Sequence, residues 1–243
     1  MNDPAARPSR LDGALRIASG ILLVLVLVLT NVRLLLTRTY VVAEYASPGF
    51  PVDSYGFTLE ERVAYAGLAL DYLLNDAGPS FLADQRHPDG TPLYNDRELQ
   101  HMVDVKNLVQ SALRAWAASA ILLAVALAWT WGRQGWPGVR KSLYFGARLT
   151  LILMAVLLGV LAVSFSFLFV GFHRIFFESG TWVFYRSDTL IRLFPERFWR
   201  DVFGLLLGLT LGEAGLLVVL TRERRGARSA GPTKASPEPP TES

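Results

Sequence analysis

Cysteine is missing from this chain of 243 residues, and histidine occurs only three times. Without a thiol, segments outside the cell cannot be stapled by disulfides, and no acyl thioester can form on the protein. The chain also cannot be a lipoprotein itself, having no cysteine to lipidate. No Gly-x-Ser-x-Gly element and no His-Glu-x-x-His occur, so neither a serine nucleophile elbow nor that zinc-protease signature is present. Acidic residues are sparse in the apolar runs and no paired broken helices are evident, which leaves coupled ion transport weakly supported.

What is abundant is hydrocarbon. Hydrophobic residues make up 51% of the chain, and the mean hydropathy is +0.31. Four segments, 17–36, 112–131, 149–170 and 202–220, reach the ~20 residues a helix needs to cross a bilayer. The first follows Arg7, Arg10 and Arg16 like a secretory signal, yet its apolar run continues through Leu34, Leu35 and Leu36. No small-residue cleavage site follows, which predicts an uncleaved anchor. The expected fold class is therefore an all-α integral membrane protein with four transmembrane helices.

Charge sets the expected orientation. Half of the 24 basic residues cluster on one side: Arg7, Arg10 and Arg16; then Arg133, Arg140, Lys141 and Arg148; then Arg222, Arg224, Arg225, Arg228 and Lys234. The positive-inside rule makes that side cytoplasmic, so both termini are expected inside. Segment 38–110 carries 11 acids against 5 bases and is expected to face outward. The net charge of +3 thus reflects topology, not nucleic-acid binding. The chain divides into a cytoplasmic tail, 1–16; a membrane domain, 17–220, with extracytoplasmic segments 38–110 and 171–200; and a cytoplasmic tail, 221–243. That last tail is rich in Pro, Ser and Glu after Arg228 and is expected to be disordered.

Within the first outer segment, Pro48, Gly49 and Pro51 predict turns. Thr58 and Glu61 have capping-box spacing, which starts a helix with an apolar stripe of Val63, Leu68, Leu70, Leu73 and Leu74, expected to lie on the membrane or on the bundle. Asn95 or Asp96, with Glu98 in the first turn, caps a second helix expected to run unbroken through His101 into the second span. Gly204, Gly208 and Gly212 recur every four residues in the fourth span, a pattern that lets helices approach closely within the bundle or between two copies.

Two of the three histidines, His101 and His173, fall at the outer ends of expected spans. Asp104 follows His101 by three residues, so one helix face would carry both, and a carboxylate beside imidazole makes a general base. An interfacial face meeting water is the plainer alternative. If the second and third spans are antiparallel neighbours, His173 comes to the same edge, where an acid and a base could flank one bond. The competing chemistry is a zinc site of His101, Asp104 and His173 with an open position. His87 sits in a turn with Pro88 and Gly90 and is expected to be an exposed loop residue. Arg33, Arg114 and Arg174 either snorkel to the interface or bind a headgroup. Phe165, Phe167, Phe169, Phe172, Phe176 and Phe177 form an aromatic belt or wall an acyl-chain groove. Glu213 is expected to pair with a basic residue toward the cytoplasm.

Four sequence blocks carry a family resemblance: Phe57-Thr-Leu-Glu-Glu-Arg62, Glu98-Leu-Gln-His-Met-Val-Asp-Val-Lys106, Phe172-His-Arg-Ile-Phe-Phe177, and Leu193-Phe-Pro-Glu-Arg-Phe-Trp199 with Asp201. In these the chain resembles the bacterial lipoprotein intramolecular transacylase family, Lit, from the first span to the fourth. The resemblance implies a four-span enzyme without a cofactor. Its partners would be diacylated lipoproteins and membrane phospholipid, and it would move the middle glyceryl acyl chain to the α-amine of the lipoprotein's own N-terminal cysteine. The family's two functional histidines correspond to His101 and His173. The expected roles are His101 as base, oriented by Asp104, and His173 as acid or oxyanion donor, with the reverse assignment open. Arg174, Arg114 and Arg33 are the substrate-binding candidates. The other classes to weigh are a non-catalytic transport or assembly partner and a zinc-dependent membrane hydrolase.

Overall fold

A computed structural model describes residues 9–223. Regular structure among these residues is helical apart from one isolated bridge between Arg86 and Pro92. The expected disordered tail lies outside the described residues from 224 onward.

Three helices are long and apolar enough to cross a membrane: α1 (Arg10–Leu35), α5 (Asp96–Val163) and α8 (Glu196–Thr221). Between them lie α2 (Arg38–Tyr45), α3 (Leu59–Leu74), α4 (Ser80–Ala83), α6 (Phe165–Phe176) and α7 (Thr189–Leu193). The expected spans 112–131 and 149–170 both start inside α5. A straight helix of 68 residues would measure about 100 Å, but α5 folds back on itself. Gly135 has φ 62° and ψ −164°, a backbone state that only glycine adopts without strain, and Pro137 follows it.

The side-chain contacts of α1 show the reversal. Gln134 Nε2 donates to Asp12 Oδ1 near the start of α1 at 3.0 Å, and Trp116 Nε1 donates to Thr30 Oγ1 near its end at 3.0 Å. Residues 96–134 are therefore antiparallel to α1, and residues 136–163 run back beside it, bringing Gly146 against Gly20.

The third expected span does not continue to Val170. Ser164, at φ −156° and ψ 100°, ends α5, and its hydroxyl accepts from Phe167 N to start α6. A serine side chain that caps the next helix competes with the ladder of the previous one. The first and fourth expected spans match α1 and α8 closely.

The small-residue packing expected at Gly204, Gly208 and Gly212 is not made among the described residues. A Cβ at any of the three would meet nothing within 4 Å. The close approach is instead Gly20 against Gly146, where a Cβ on Gly146 would come within 2.9 Å of the Gly20 Cα. Backbone cannot yield as a flexible side chain can, so Gly146→Val is expected to cost about 1–3 kcal/mol by overpacking. A lowered unfolding temperature in detergent, unmatched by Gly208→Val, would register it.

Both expected helix starts are made as capping boxes, Thr58 with Glu61 and Asn95 with Glu98. The face that α3 buries differs from the expected leucine stripe. Arg62, Ala66, Gly67, Ala69, Leu70 and Tyr72 are buried, while Leu74 is exposed. Small residues there let α3 pack on α2, an element the sequence reading did not anticipate, with Val41, Tyr45, Ala66 and Leu70 in one cluster. Arg62 is buried with it, donating to the carbonyls of Pro51 and Arg192.

A second cluster joins α3, the start of α5 and α7 through Tyr72, Leu93, Tyr94, Met102, Leu190 and Leu193. The ion pair Arg192–Asp53, 3.0 Å and almost fully buried, closes this outer layer. Glu213 also departs from expectation. It accepts from Asn31 Nδ2 at 2.9 Å, and the same amide donates to Thr210 at 3.1 Å. This polar knot between α1 and α8 gives the Asn31 amide nitrogen and the Glu213 carboxylate partners that hydrocarbon could not, while Asn31 Oδ1 stays unpartnered.

Candidate functional site

His101 stands in the second turn of α5, ahead of its apolar stretch. Glu98 fixes this end of the helix. Its carboxylate accepts from Asn95 N at 2.9 Å as part of the cap and from Leu190 N of α7 at 2.7 Å, with only 1% of the residue exposed. His173 lies in the last turn of α6, outside the helices long enough to span. The two imidazoles come together as offset parallel rings, with centroids 6.1 Å apart and planes 19° apart, and both are buried.

Aromatic rings enclose the pair. Phe177 and Phe184 lie edge-on to His101 at 5.0 and 5.3 Å, and Phe169 and Trp182 lie 4.1 and 4.9 Å from His173. The segment carrying Trp182 and Phe184 is pinned through Asp188. That carboxylate accepts from Tyr185 N at 2.8 Å and from Arg97 Nη2 at 2.9 Å, and Arg97 also lies over the rings of Phe184 and Tyr185.

The rings differ in how they are held. His173 Nδ1 lies 2.7 Å from the Phe169 carbonyl oxygen. A carbonyl only accepts, so Nδ1 carries the hydrogen and Nε2 keeps the lone pair of the neutral ring. His101 Nδ1 is buried with no hydrogen-bond partner. Burial among apolar rings disfavours the imidazolium. It pushes His101 down to about 4, with the neighbouring His173 adding to the effect. Burial also holds His173 below the ordinary histidine value, partly offset by its bond to Phe169. Both rings are thus neutral at pH 7.

Beside the pair, across the ring of Phe177, opens a cavity of about 520 Å³. One wall is a single face of α5 formed by Gln100, Asp104, Asn107, Leu108 and Ser111, and the other is Phe176 at the end of α6 with Phe177, Glu178 and Thr181 beyond it. The Asp104 face continues through Asn107 and Leu108. The contact expected between Asp104 and His101 is not made: Gln100 Nε2 donates to Asp104 Oδ1 at 3.2 Å, and His101 Nδ1 stays unpartnered. Spacing of three residues shares a helix face, but the imidazole packs among the aromatic rings while the carboxylate lines the cavity. The set His101, Asp104 and His173 accordingly does not converge as metal ligands, and no cluster of three potential metal-binding side chains occurs among the described residues.

The three arginines are dispersed. Arg33 caps its own helix at the Leu36 carbonyl, 3.3 Å away. Arg114 donates to Ser111 at 3.1 Å and so meets the far end of the cavity, about 20 Å along α5 from His101. Arg174 is exposed beside His173. The phenylalanines divide: Phe169 and Phe172 pack on His173, Phe176 and Phe177 wall the cavity, and Phe167 is exposed. His87 stacks on Phe57 at 5.6 Å and is half-buried in its turn, more enclosed than expected.

The sequence reading missed Trp182. Its Nε1 is buried without an acceptor, next to the His173 imidazole. It lies in a loop, where periodicity carries no information, and the only available signal was a tryptophan near a histidine.

The model of the lipoprotein intramolecular transacylase family, Lit, matches residues 17–199. An uncharacterized protein of Aquifex aeolicus (strain VF5) is 30% identical over 196 residues, 79% of this chain and 85% of that protein. Among solved structures, the membrane-integral lipoprotein intramolecular transacylase Lit from Bacillus cereus superposes with a TM-score of 0.66 at 18% identity, covering 86% of this chain and 94% of the other. A form of that protein with one histidine replaced by alanine superposes with a TM-score of 0.62 at 18% identity, covering 87% and 92%. The match takes in both imidazoles and the loop that covers them, and this chain belongs to the lipoprotein intramolecular transacylase family, Lit, a family of membrane-integral acyltransferases.

Proposed function

We propose that this protein moves the sn-2 acyl chain of an N-terminal diacylglyceryl-cysteine from its glyceryl oxygen to the α-amine of the same cysteine, leaving a lyso-form lipoprotein. The observation that carries this reading is the neutral imidazole pair, one ring with a fixed tautomer, beside a polar cavity with an apolar wall. Asp104 and Glu178 give that cavity two carboxylates, which suit the substrate's α-ammonium. Phe176 and Phe177 suit its acyl chains.

The proton balance fits such a site. The α-ammonium first gives up one proton to solvent at the carboxylate-lined end and becomes a nucleophile. Its nitrogen forms the C–N bond to the ester carbonyl, and the carbonyl oxygen takes the negative charge. His173 Nε2 accepts the second nitrogen proton. As the C–O bond to glycerol breaks, that proton passes to the departing oxygen, so base and acid duties can fall to one ring. The base role expected for His101 rested on Asp104. With no contact between them, His173 is the better base, and the donor role falls to His101, which requires its hydrogen on Nε2. The buried Trp182 Nε1–H, lacking any partner, is suited to bind the oxyanion. Nucleophile and ester belong to one molecule, so positioning alone can supply on the order of 7–11 kcal/mol.

The clustering of basic residues at one end of the bundle, together with antiparallel limbs in α5, supports four crossings of the bacterial cytoplasmic membrane. Both termini would then be inside and the histidines on the extracytoplasmic side. Arg174, Arg114 and Arg33 would meet substrate or lipid headgroups at that surface.

The test is expression in a bacterium that makes diacylglyceryl lipoproteins but no lyso form, with mass spectrometry of lipoprotein N-terminal peptides. N-acylated, mono-O-acylated cysteine is the expected product. Peptides whose two acyl chains both remain on glycerol would overturn the reading.

A further inference from the structure

The end of the bundle opposite the histidines carries a second cavity, of about 490 Å³, between α1 and residues 136–163 of α5. Three cations line it: Arg16 from α1, and Lys141 and Arg148 from α5. The remaining walls are Tyr144, Phe145, Leu149 and Ile152. None of the three cations is within ion-pairing distance of a carboxylate among the described residues. Other cations at this end are engaged, Arg133 with Asp12 and Arg140 with Glu223.

Positions 141, 144, 145, 148, 149 and 152 share one face of the helix. Along that face Lys141 and Arg148 bracket the aromatic pair Tyr144 and Phe145, and the aliphatic Leu149 and Ile152 follow. From Lys141 to Arg148 the helix rises about 10 Å, and Ile152 lies one further turn toward the middle of the bundle. Because Gly20 meets Gly146, Arg16 falls one turn below that contact, level with Lys141, while the Arg148 backbone lies about 3 Å above the contact. The Arg148 guanidinium reaches back over the Tyr144 ring, 5.6 Å from its centroid, toward the level of Arg16 and Lys141, and an exposed apolar strip leads from this cationic end into the hydrocarbon.

We propose that this groove holds an anionic phospholipid, its phosphate among Arg16, Lys141 and Arg148 and an acyl chain along Phe145, Leu149 and Ile152. A free phosphate would satisfy only the cationic half, and a zwitterionic lipid would place its own ammonium among the three cations. Basic pockets of this kind on membrane bundles bind anionic headgroups at a gain that adds up per cation.

Native mass spectrometry of the purified full chain in detergent, titrated with phosphatidylglycerol or with phosphatidylcholine of identical chains, tests the assignment. Phosphatidylglycerol is expected to bind at least tenfold more tightly. Removing Arg16, Lys141 and Arg148 together by Gln substitution should abolish that preference. The same loss of charge at Arg133, Arg140 and Arg222 should preserve it. Ile152→Glu, at a site already 59% exposed, should weaken lipid retention without loss of the fold. Equal retention of the two lipids, or equal loss in both triple variants, would overturn the proposal in favour of bulk surface charge. Competition by inorganic phosphate at lipid concentration, with Ile152→Glu silent, would overturn it in favour of a phosphate site.

Discussion

His173→Ala is expected to lower the rate of acyl transfer by about 10²–10⁴-fold, the range for loss of a general acid–base group, while membrane abundance stays unchanged. The reason lies in the bond to Phe169. With Nδ1–H committed to that carbonyl, Nε2 is a positioned lone pair needing no proton rearrangement before it acts. His173→Gln should not rescue, because an amide cannot carry a proton between nitrogen and oxygen.

The pH dependence has a definite sign. Burial holds His173 below 6.5, so activity should persist as pH falls past that value and decline only below it. Stability follows the same direction. A histidine whose folded value is depressed binds its proton first in the unfolded state, so the fold loses stability as pH falls from about 6.5 toward the folded value. For His101 that window extends down to about 4. An acid limb centred at 6.5 or above, in a rate profile taken by single-turnover assay, would exclude the buried neutral ring as the base.

Trp182→Phe is expected to cut the rate by roughly 10²–10³-fold, equivalent to about 2.7–4 kcal/mol, as does removal of one oxyanion donor from an acyl-transfer site. Phenylalanine keeps the ring packed on His173 and removes only the N–H, so substrate binding and thermal stability should change little. That split between turnover and binding separates a donor from a packing residue. An equal rise in KM with no fall in kcat would assign Trp182 to shaping the pocket.

Features set by neighbouring residues were legible in the chain. Thr58 with Glu61, and Asn95 with Glu98, are three residues apart, and each pair closes its box without help from elsewhere. The histidine pair could be singled out because the residue is scarce, and because apolar runs on either side of a basic connector must return the chain to one end. What spacing could not supply was direction. Asp104 shares the helix face of His101, yet the ring is taken by aromatics arriving from residues 177 and 184. The glycines of α8 and those at Gly20 and Gly146 look alike in sequence, and only the register between α1 and α5 decides which pair meets. Ser164 reads as a tolerable residue in an apolar run until its hydroxyl is seen capping the helix that follows.

The link between Glu98 and the backbone of Leu190, reinforced by the Thr189 hydroxyl on the Leu93 carbonyl, ties the two ends of a stretch nearly a hundred residues long. The capped start of α5 can form on its own, but its link to α7 closes only once residue 190 has been delivered. The loop closed by that link holds both His101 and His173, so their final packing is completed late in synthesis.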